Sequence, residues 1–267
     1  MDLNNYGLNV NTVVTIIAMQ EELDLIINSQ NYSIDEIFTN LHKNILVSYK
    51  KEYKHNDKLI NSYIISGSED KLHKLSKVGC ETAALLTYLA IEHYKPNLVL
   101  NCGYAGSSGL VHYNLGDLIL SKGYGCYYDR EMIFQSHKDI AFGKYPVFDC
   151  EELNKKLNFH MGIIGTTDSF KSCDKGLSKS LGLSCVEMEF AAISRICYNM
   201  NVPVIGLKII SDTHTLEEED ENEKNLENSV DDKRKSEFEF SVKELPSTIY
   251  NGYMKLFNLV CFNLVQS

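Results

Sequence analysis

Apolar and polar positions follow two periods along this chain, and the period changes where the chemistry changes. Thr12-Val13-Val14-Thr15-Ile16-Ile17-Ala18 is short, β-branched and almost continuously apolar. That pattern predicts a buried strand in a sheet covered on both faces. From Glu21 to Asn28 the period lengthens: Leu23, Ile26 and Ile27 fall on one side, and acids lead the segment. A helix is predicted there, with negative charge complementing its first turn. Lys43 to Ser66 predicts two strands joined by the polar segment around Lys54-His55-Asn56-Asp57-Lys58. Glu81 to Tyr94 predicts a helix, with Ala84, Leu85, Tyr88, Leu89 and Ile91 at spacings of three and four as its apolar face. Gly79 lies just ahead of it and Pro96 ends it.

Strand patterns recur at Asn97–Cys102, Asp117–Ser121, Met161–Thr166 and Pro203–Ile210. Helical patterns separate the later ones, at Glu151–Leu157, Asp174–Leu181 and Glu187–Met200. Alternation of this kind predicts an α/β fold, a parallel or mixed sheet between helical layers. No internal repeat and no break in composition divides the chain, so one domain is expected over 1–267. The run Glu217-Glu218-Glu219-Asp220-Glu221-Asn222-Glu223 opens a charged stretch, read as a solvated mobile loop over about 217–237. Acids without a glycine at the turn make a poor calcium loop. An apolar-rich helix is predicted from about Ser247 to Val265, with Pro246 just ahead of it.

Charge and cysteine usage narrow the partners. The 267 residues carry a formal net charge of −10. Without a surplus of Lys and Arg, neither nucleic acid nor an anionic membrane surface is an expected partner. None of the 8 cysteines stands in a C-x-x-C pair, and several lie in apolar runs, so reduced thiols and a cytoplasmic setting are expected. Val13 to Met19 is too short to span a membrane, and no targeting segment is visible.

Four motifs at strand exits carry candidate chemistry. Ala18-Met19-Gln20-Glu21-Glu22 puts acids at the edge of an α/β sheet where ligands bind. Asn101-Cys102-Gly103-Tyr104-Ala105-Gly106 has glycines that let backbone N–H groups approach a ligand. Val186-Glu187-Met188-Glu189 offers carboxylates for a cis-diol and a soft apolar floor. Lys208-Ile209-Ile210-Ser211-Asp212 ends a strand on an Asp that can exchange protons with a purine. Each also has an ordinary structural reading: a helix start, a tight turn, dipole partners, a cap. Together they match what breaking an N-glycosidic bond requires. Negative charge faces an oxocarbenium-like sugar, an acid serves the leaving base, and a base serves the attacking water.

The order and spacing of these stretches resemble the nucleoside phosphorylase/nucleosidase superfamily. Within it the resemblance is to methylthioadenosine/S-adenosylhomocysteine nucleosidases, in particular the plant-type branch. Further matching stretches are Val78-Gly79 through Thr87-Tyr88, Lys95-Pro96, Leu115-Gly116-Asp117, Tyr128-Asp129-Arg130, Thr167-Asp168-Ser169-Phe170 and Val202-Pro203. The resemblance implies a three-layer α/β/α fold with a central mixed, twisted sheet. It makes Glu22 the base that activates water and Asp212 the acid for adenine N7, oriented by Ser211. Glu189 would hold the ribose hydroxyls, with Met188 beneath the ring and Glu187 beside them. Phe170 would stack on adenine while the backbone of Lys171 reads its edge. Met19 would line the 5′-thio end, Lys208 would lie near the water, and Gly103 and Tyr104 would form the glycine turn. The resemblance implies no metal and no organic cofactor. It also implies a homodimer whose partner closes the 5′ pocket, with residues around Met132, Ile133 and Phe134 as the donated edge.

Phosphorylases of this superfamily hold phosphate with a Gly-Asp-Pro-x-Arg loop after the first strand and an Arg before the second glycine turn. This chain has Ala18-Met19-Gln20-Glu21-Glu22 and Asn101 at those places. Losing two cations and gaining a carboxylate favours water over phosphate as nucleophile. A phosphorylase of the same fold and a non-catalytic nucleoside-binding or storage relative remain the alternatives. Tyr104 departs from the family's small hydroxyl residue, and Phe238 or Phe240 is expected to supply an aromatic lid.

Overall fold

The computed structural model describes residues 10–130, 134–170, 175–213 and 223–264. One large mixed sheet runs through it. Its first half is built on β1 (Thr12–Ile16), which lies parallel between β4 (Lys58–Gly67) and β5 (Leu98–Ser107). β3 (Leu46–His55) forms an antiparallel hairpin with β4, as the sequence predicts, and β2 (Ser33–Ile34) edges it.

The second half closes on itself. β10 (Val204–Asp212) pairs parallel with β5 and antiparallel with β6 (Leu118–Tyr127). β6 pairs with β8 (His160–Thr166), β8 with β9 (Leu183–Glu187), and β9 returns antiparallel to Gly106 and Ser107 of β5. A short β7 (Tyr145–Pro146) flanks β6. Strand β5 is thus shared by an open sheet and a closed ring, and all ten of its residues are buried. The ring is a feature that strand periodicity alone does not announce.

Strand alternation sends neighbours to opposite layers. Val14 and Ile16 pack with Ala83, Leu86 and Ala90 of α3 (Cys80–Tyr94) and with Ala191 and Ile193 of α7 (Phe190–Asn199). Val13 and Ile17 pack with Leu23 and Ile26 of α1 (Gln20–Ser29) and with Tyr253, Leu256 and Phe257 of α9 (Pro246–Phe262). This is the expected three-layer α/β/α arrangement. Shorter helices α2 (Glu36–Leu41), α4 (Gln135–Phe142), α5 (Glu151–Leu157) and α6 (Lys175–Leu181) cover the connections.

Three expectations are corrected. The inner line of α3 is Ala83, Leu86, Thr87, Ala90 and Ile91, whereas Leu85 and Tyr88 are exposed. The helix is apolar nearly all round, so its period does not select a face. Glu187 ends strand β9 rather than starting a helix; α7 begins at Phe190. Finally, α8 (Glu223–Glu244) occupies most of the segment expected to be a loop. Its composition is highly charged, but Arg234 and Ser241, seven residues apart, are buried against the end of β10. Residues 214–222, including most of the acidic run, lie outside the described residues. Among the described residues no helix is long and apolar enough to cross a membrane, and the seven described cysteines are buried.

Candidate active site

The site lies where β1 and β9 part company along the same edge of β5. β1 leaves β5 at Asn101, and β9 joins it only at Gly106. The fork between them opens at the C-terminal ends of β1 and β10, the usual ligand position at a switch of strand order. Chain leaving β1 carries Met19 and Glu22 into the fork, β5 contributes Tyr104 and Gly106, β9 contributes Glu187 to Glu189, and β10 ends on Ser211 and Asp212.

Glu22 is held in place by two backbone donors. Tyr104 N–H donates to Oε1 at 2.8 Å, and Met19 N–H donates to Oε2 at 3.1 Å. Gly103 is needed for this approach, because a Cβ there would stand 2.6 Å from Oε1. Burial pushes the Glu22 carboxyl up from its ordinary value, against the lowering pull of Lys208 and the two N–H donors. A buried carboxylate with a raised pKa is a better proton acceptor near neutrality.

A second acid cluster lies across the fork. Both Glu187 oxygens are occupied: Thr166 Oγ1 donates to Oε1 at 2.5 Å, and Lys208 Nζ pairs with Oε2 at 2.9 Å. The N–H of Glu189 reaches Oε2 at 3.0 Å and that of Phe190 reaches both oxygens, so Glu187 also caps α7. Glu189 accepts the Gly79 N–H at 2.8 Å. Burial, and then the Glu187 charge, push the Glu189 carboxyl well up. Burial alone would depress Lys208, but the carboxylates of Glu187, Glu189 and Glu22 outweigh it and hold the ammonium charged. One cation thus stands among three acids at this end of the pocket.

At the other end, β10 gains an extra residue relative to β5 between Ile210 and Asp212, a bulge that re-aims the strand end. Ser211 Oγ donates to Asp212 Oδ2 at 2.9 Å, and Asp212 is wholly buried. Arg234 Nε donates to the other oxygen, Oδ1, at 2.5 Å. Aromatic rings form the wall: Phe170 meets Phe238 edge-on at 5.4 Å, and Phe238 meets Tyr104 at 5.9 Å.

Met19, Glu22, Tyr104, Phe170, Glu187, Met188, Glu189, Ser211 and Asp212 therefore line one pocket. Gly103 and Lys208 stand directly behind it, against Glu22 and Glu187. Lys171, Met132 and Ile133 lie outside the described residues, and Phe134 is exposed. The Tyr104 hydroxyl donates to the Ser241 carbonyl at 3.1 Å, so it anchors α8 instead of reaching into the fork. Phe238 lines the pocket, while Phe240 is exposed. Sequence reasoning missed Arg234, whose only local context is a run of Lys, Asp and Glu.

Residues 12–238 match the family model described as the phosphorylase superfamily. The chain belongs to the phosphorylase superfamily. Among superfamily members, the 5′-methylthioadenosine/S-adenosylhomocysteine nucleosidase of Buchnera aphidicola subsp. Acyrthosiphon pisum is 32% identical over 178 residues, 58% of this chain and 75% of that one. The 5′-methylthioadenosine nucleosidase of Arabidopsis thaliana is 27% identical over 206 residues, 76% of this chain and 75% of its own. The solved structure of the Arabidopsis thaliana 5′-methylthioadenosine nucleosidase in apo form shares the superfamily fold with a TM-score of 0.80. It covers 96% of this chain and 98% of that one at 23% identity.

Proposed function

We propose that this chain hydrolyses the N-glycosidic bond of 5′-methylthioadenosine, and of S-adenosylhomocysteine, to adenine and the thioribose. The observation that carries this reading is the buried Glu22 carboxylate, held by two N–H donors at the exit of β1. It stands where a phosphate-using relative of this superfamily carries a cationic loop. Glu22 takes a proton from the attacking water. Asp212, steadied by Ser211, serves N7 of the leaving adenine. Glu189 keeps one oxygen on Gly79 and offers the other to a ribose hydroxyl. Met188 lies under the ribose, Phe170 against the base and Met19 toward the 5′-thio group. Glu187 and Lys208 form an ion pair that positions Glu189 and the start of α7; carboxylate charge facing the ribose favours an oxocarbenium-like sugar.

The reaction needs neither metal nor organic cofactor in this reading. Adenine release from both nucleosides, with and without phosphate, tests it. Phosphate-independent release is expected, with Glu22→Gln inactive yet still binding adenine. Sugar 1-phosphate formed only in the presence of phosphate would sink it in favour of a phosphorylase. Nucleoside binding without any cleavage would favour a storage role.

The reading extends to a homodimer in the cytoplasm. Val78 lines the pocket while 43% exposed, and Leu85, Tyr88 and Phe134 present further exposed apolar area. Patches of this kind are often covered by a partner. Sedimentation at micromolar concentration checks it; a monomer that retains full activity would remove the dimer. Cysteines buried in the core, with no C-x-x-C pair, suit a reducing compartment.

A further inference from the structure

Arg234 is a buried cation that the proposed reaction does not use. It is 4% exposed and lines the same pocket as Glu22 and Glu189. Its Nε donates to Asp212 Oδ1 at 2.5 Å, and its guanidinium carbon lies 5.7 Å from the centre of the Phe170 ring. A Cβ added to Gly106 would meet Nη2 at 2.5 Å and Asp212 Oδ1 at 2.6 Å, so the guanidinium lies close over the β5 backbone. Nearby contacts fix the helix that delivers it. Ser241 Oγ donates to the Ser211 carbonyl at 2.8 Å, Thr213 N–H donates to Glu237 at 2.6 Å, and Tyr104 donates to the Ser241 carbonyl. The cavity left open is about 80 Å³, small beside the roughly 300–1,000 Å³ of sites that take a drug-sized ligand.

Two groups therefore claim one place. A departing base must bring its N7 edge to Asp212 and its face to Phe170, and Arg234 holds both. The chemistry of the two is alike. A protonated adenine is a planar, delocalised cation that presents N–H donors to a carboxylate, and a guanidinium is the same in those respects.

We propose that Arg234 is a resident competitor for the base subsite, an internal stand-in for the protonated leaving base that must release Asp212 before a nucleoside can bind. This rests on the placement of the base proposed above. The pair lowers the affinity of the site for purines, and the return of Arg234 to Asp212 favours departure of the free base.

The test compares binding of free adenine, by calorimetry, in the parent, Arg234→Met and Arg234→Lys. Met keeps the stem and loses the donors; Lys keeps the charge and loses the planar fork. Adenine is expected to bind the Met variant roughly 10- to 100-fold tighter than the parent, the span of a hydrogen bond to a charged group. The Lys variant is expected between them, and KM for methylthioadenosine should fall in step. Equal or weaker adenine binding by a Met variant with native circular dichroism overturns the proposal. If the Met variant does not fold, a crystal structure of the parent with adenine decides. Arg234 still bonded to Asp212 beside the bound base overturns the proposal, and a displaced guanidinium supports it. A parent that releases no adenine from nucleosides but binds it more tightly as Arg234→Met loses the hydrolase reading and keeps this one. No adenine binding by any of the three removes both.

Discussion

A methyl group placed on Gly103 tests the role proposed for the Glu22 carboxylate without altering that residue. The new Cβ would stand 2.6 Å from Glu22 Oε1 and 3.0 Å from both Cδ and Oε2. Ordinary contact begins near 3.4 Å, so the carboxylate must retreat by about 0.8 Å. It has little freedom to do so. Tyr104 N–H and Met19 N–H hold its two oxygens, and Leu23 and Ile26 fix α1 in the core. Displacing a reacting group by about 1 Å costs on the order of 10²-fold in rate. The crowding itself costs about 1–3 kcal/mol of stability. The assay is steady-state adenine release from methylthioadenosine in phosphate-free buffer, beside a thermal melt. Gly103→Ala is expected to lose about 10²-fold in kcat with KM little changed, because the base and ribose contacts lie elsewhere. A variant that melts as expected yet keeps the parent kcat would show that the Glu22 carboxylate does not activate the water.

Two further outcomes follow from the same geometry. Tyr104→Phe loses a buried bond to the Ser241 carbonyl, so it should cost about 1 kcal/mol in a denaturant titration and keep kcat within a few-fold; a fall of about 10²-fold would return the hydroxyl to the water. Burial and the Glu187 charge raise Glu189 from 4.5 to about 8, so the folded chain retains a proton that the unfolded chain releases between those values. Stability should therefore fall as pH rises through that window. Glu189→Gln, which keeps an acceptor for Gly79, should flatten the decline in urea titrations; an unchanged slope refutes the assignment.

Strand exits were the legible part of this protein. Short apolar runs place β1, β5, β8 and β10, and the acids after β1 and at the end of β10 converge because a sheet brings strand ends together. Residues whose meaning depends on distant partners were not legible. Arg234 acts through Asp212, and nothing in Asp232-Lys233-Arg234-Lys235 distinguishes it from its solvated neighbours. The Tyr104 hydroxyl sits beside the right loop, but its direction is set by Ser241 on α8. Glu187 reads as a ribose ligand like Glu189, yet Lys208, Thr166 and the start of α7 consume its oxygens. On α3, apolar side chains on both faces erase the signal that would separate the core side from the exposed side.

Sharing β5 between the open sheet and the ring also bears on how the molecule assembles. Glu22 depends on β1 meeting β5 and Asp212 on β10 meeting β5, and both pairings join residues far apart in the chain, Val13 with Leu98 and Val99 with Val204. Non-local pairings of this kind slow folding, because loop closure must precede any gain from them. A chain halted before β10 docks would hold Glu22 with no acid opposite it and no partner for Arg234. Catalytic competence therefore requires both pairings on β5, and neither half of the sheet carries it alone.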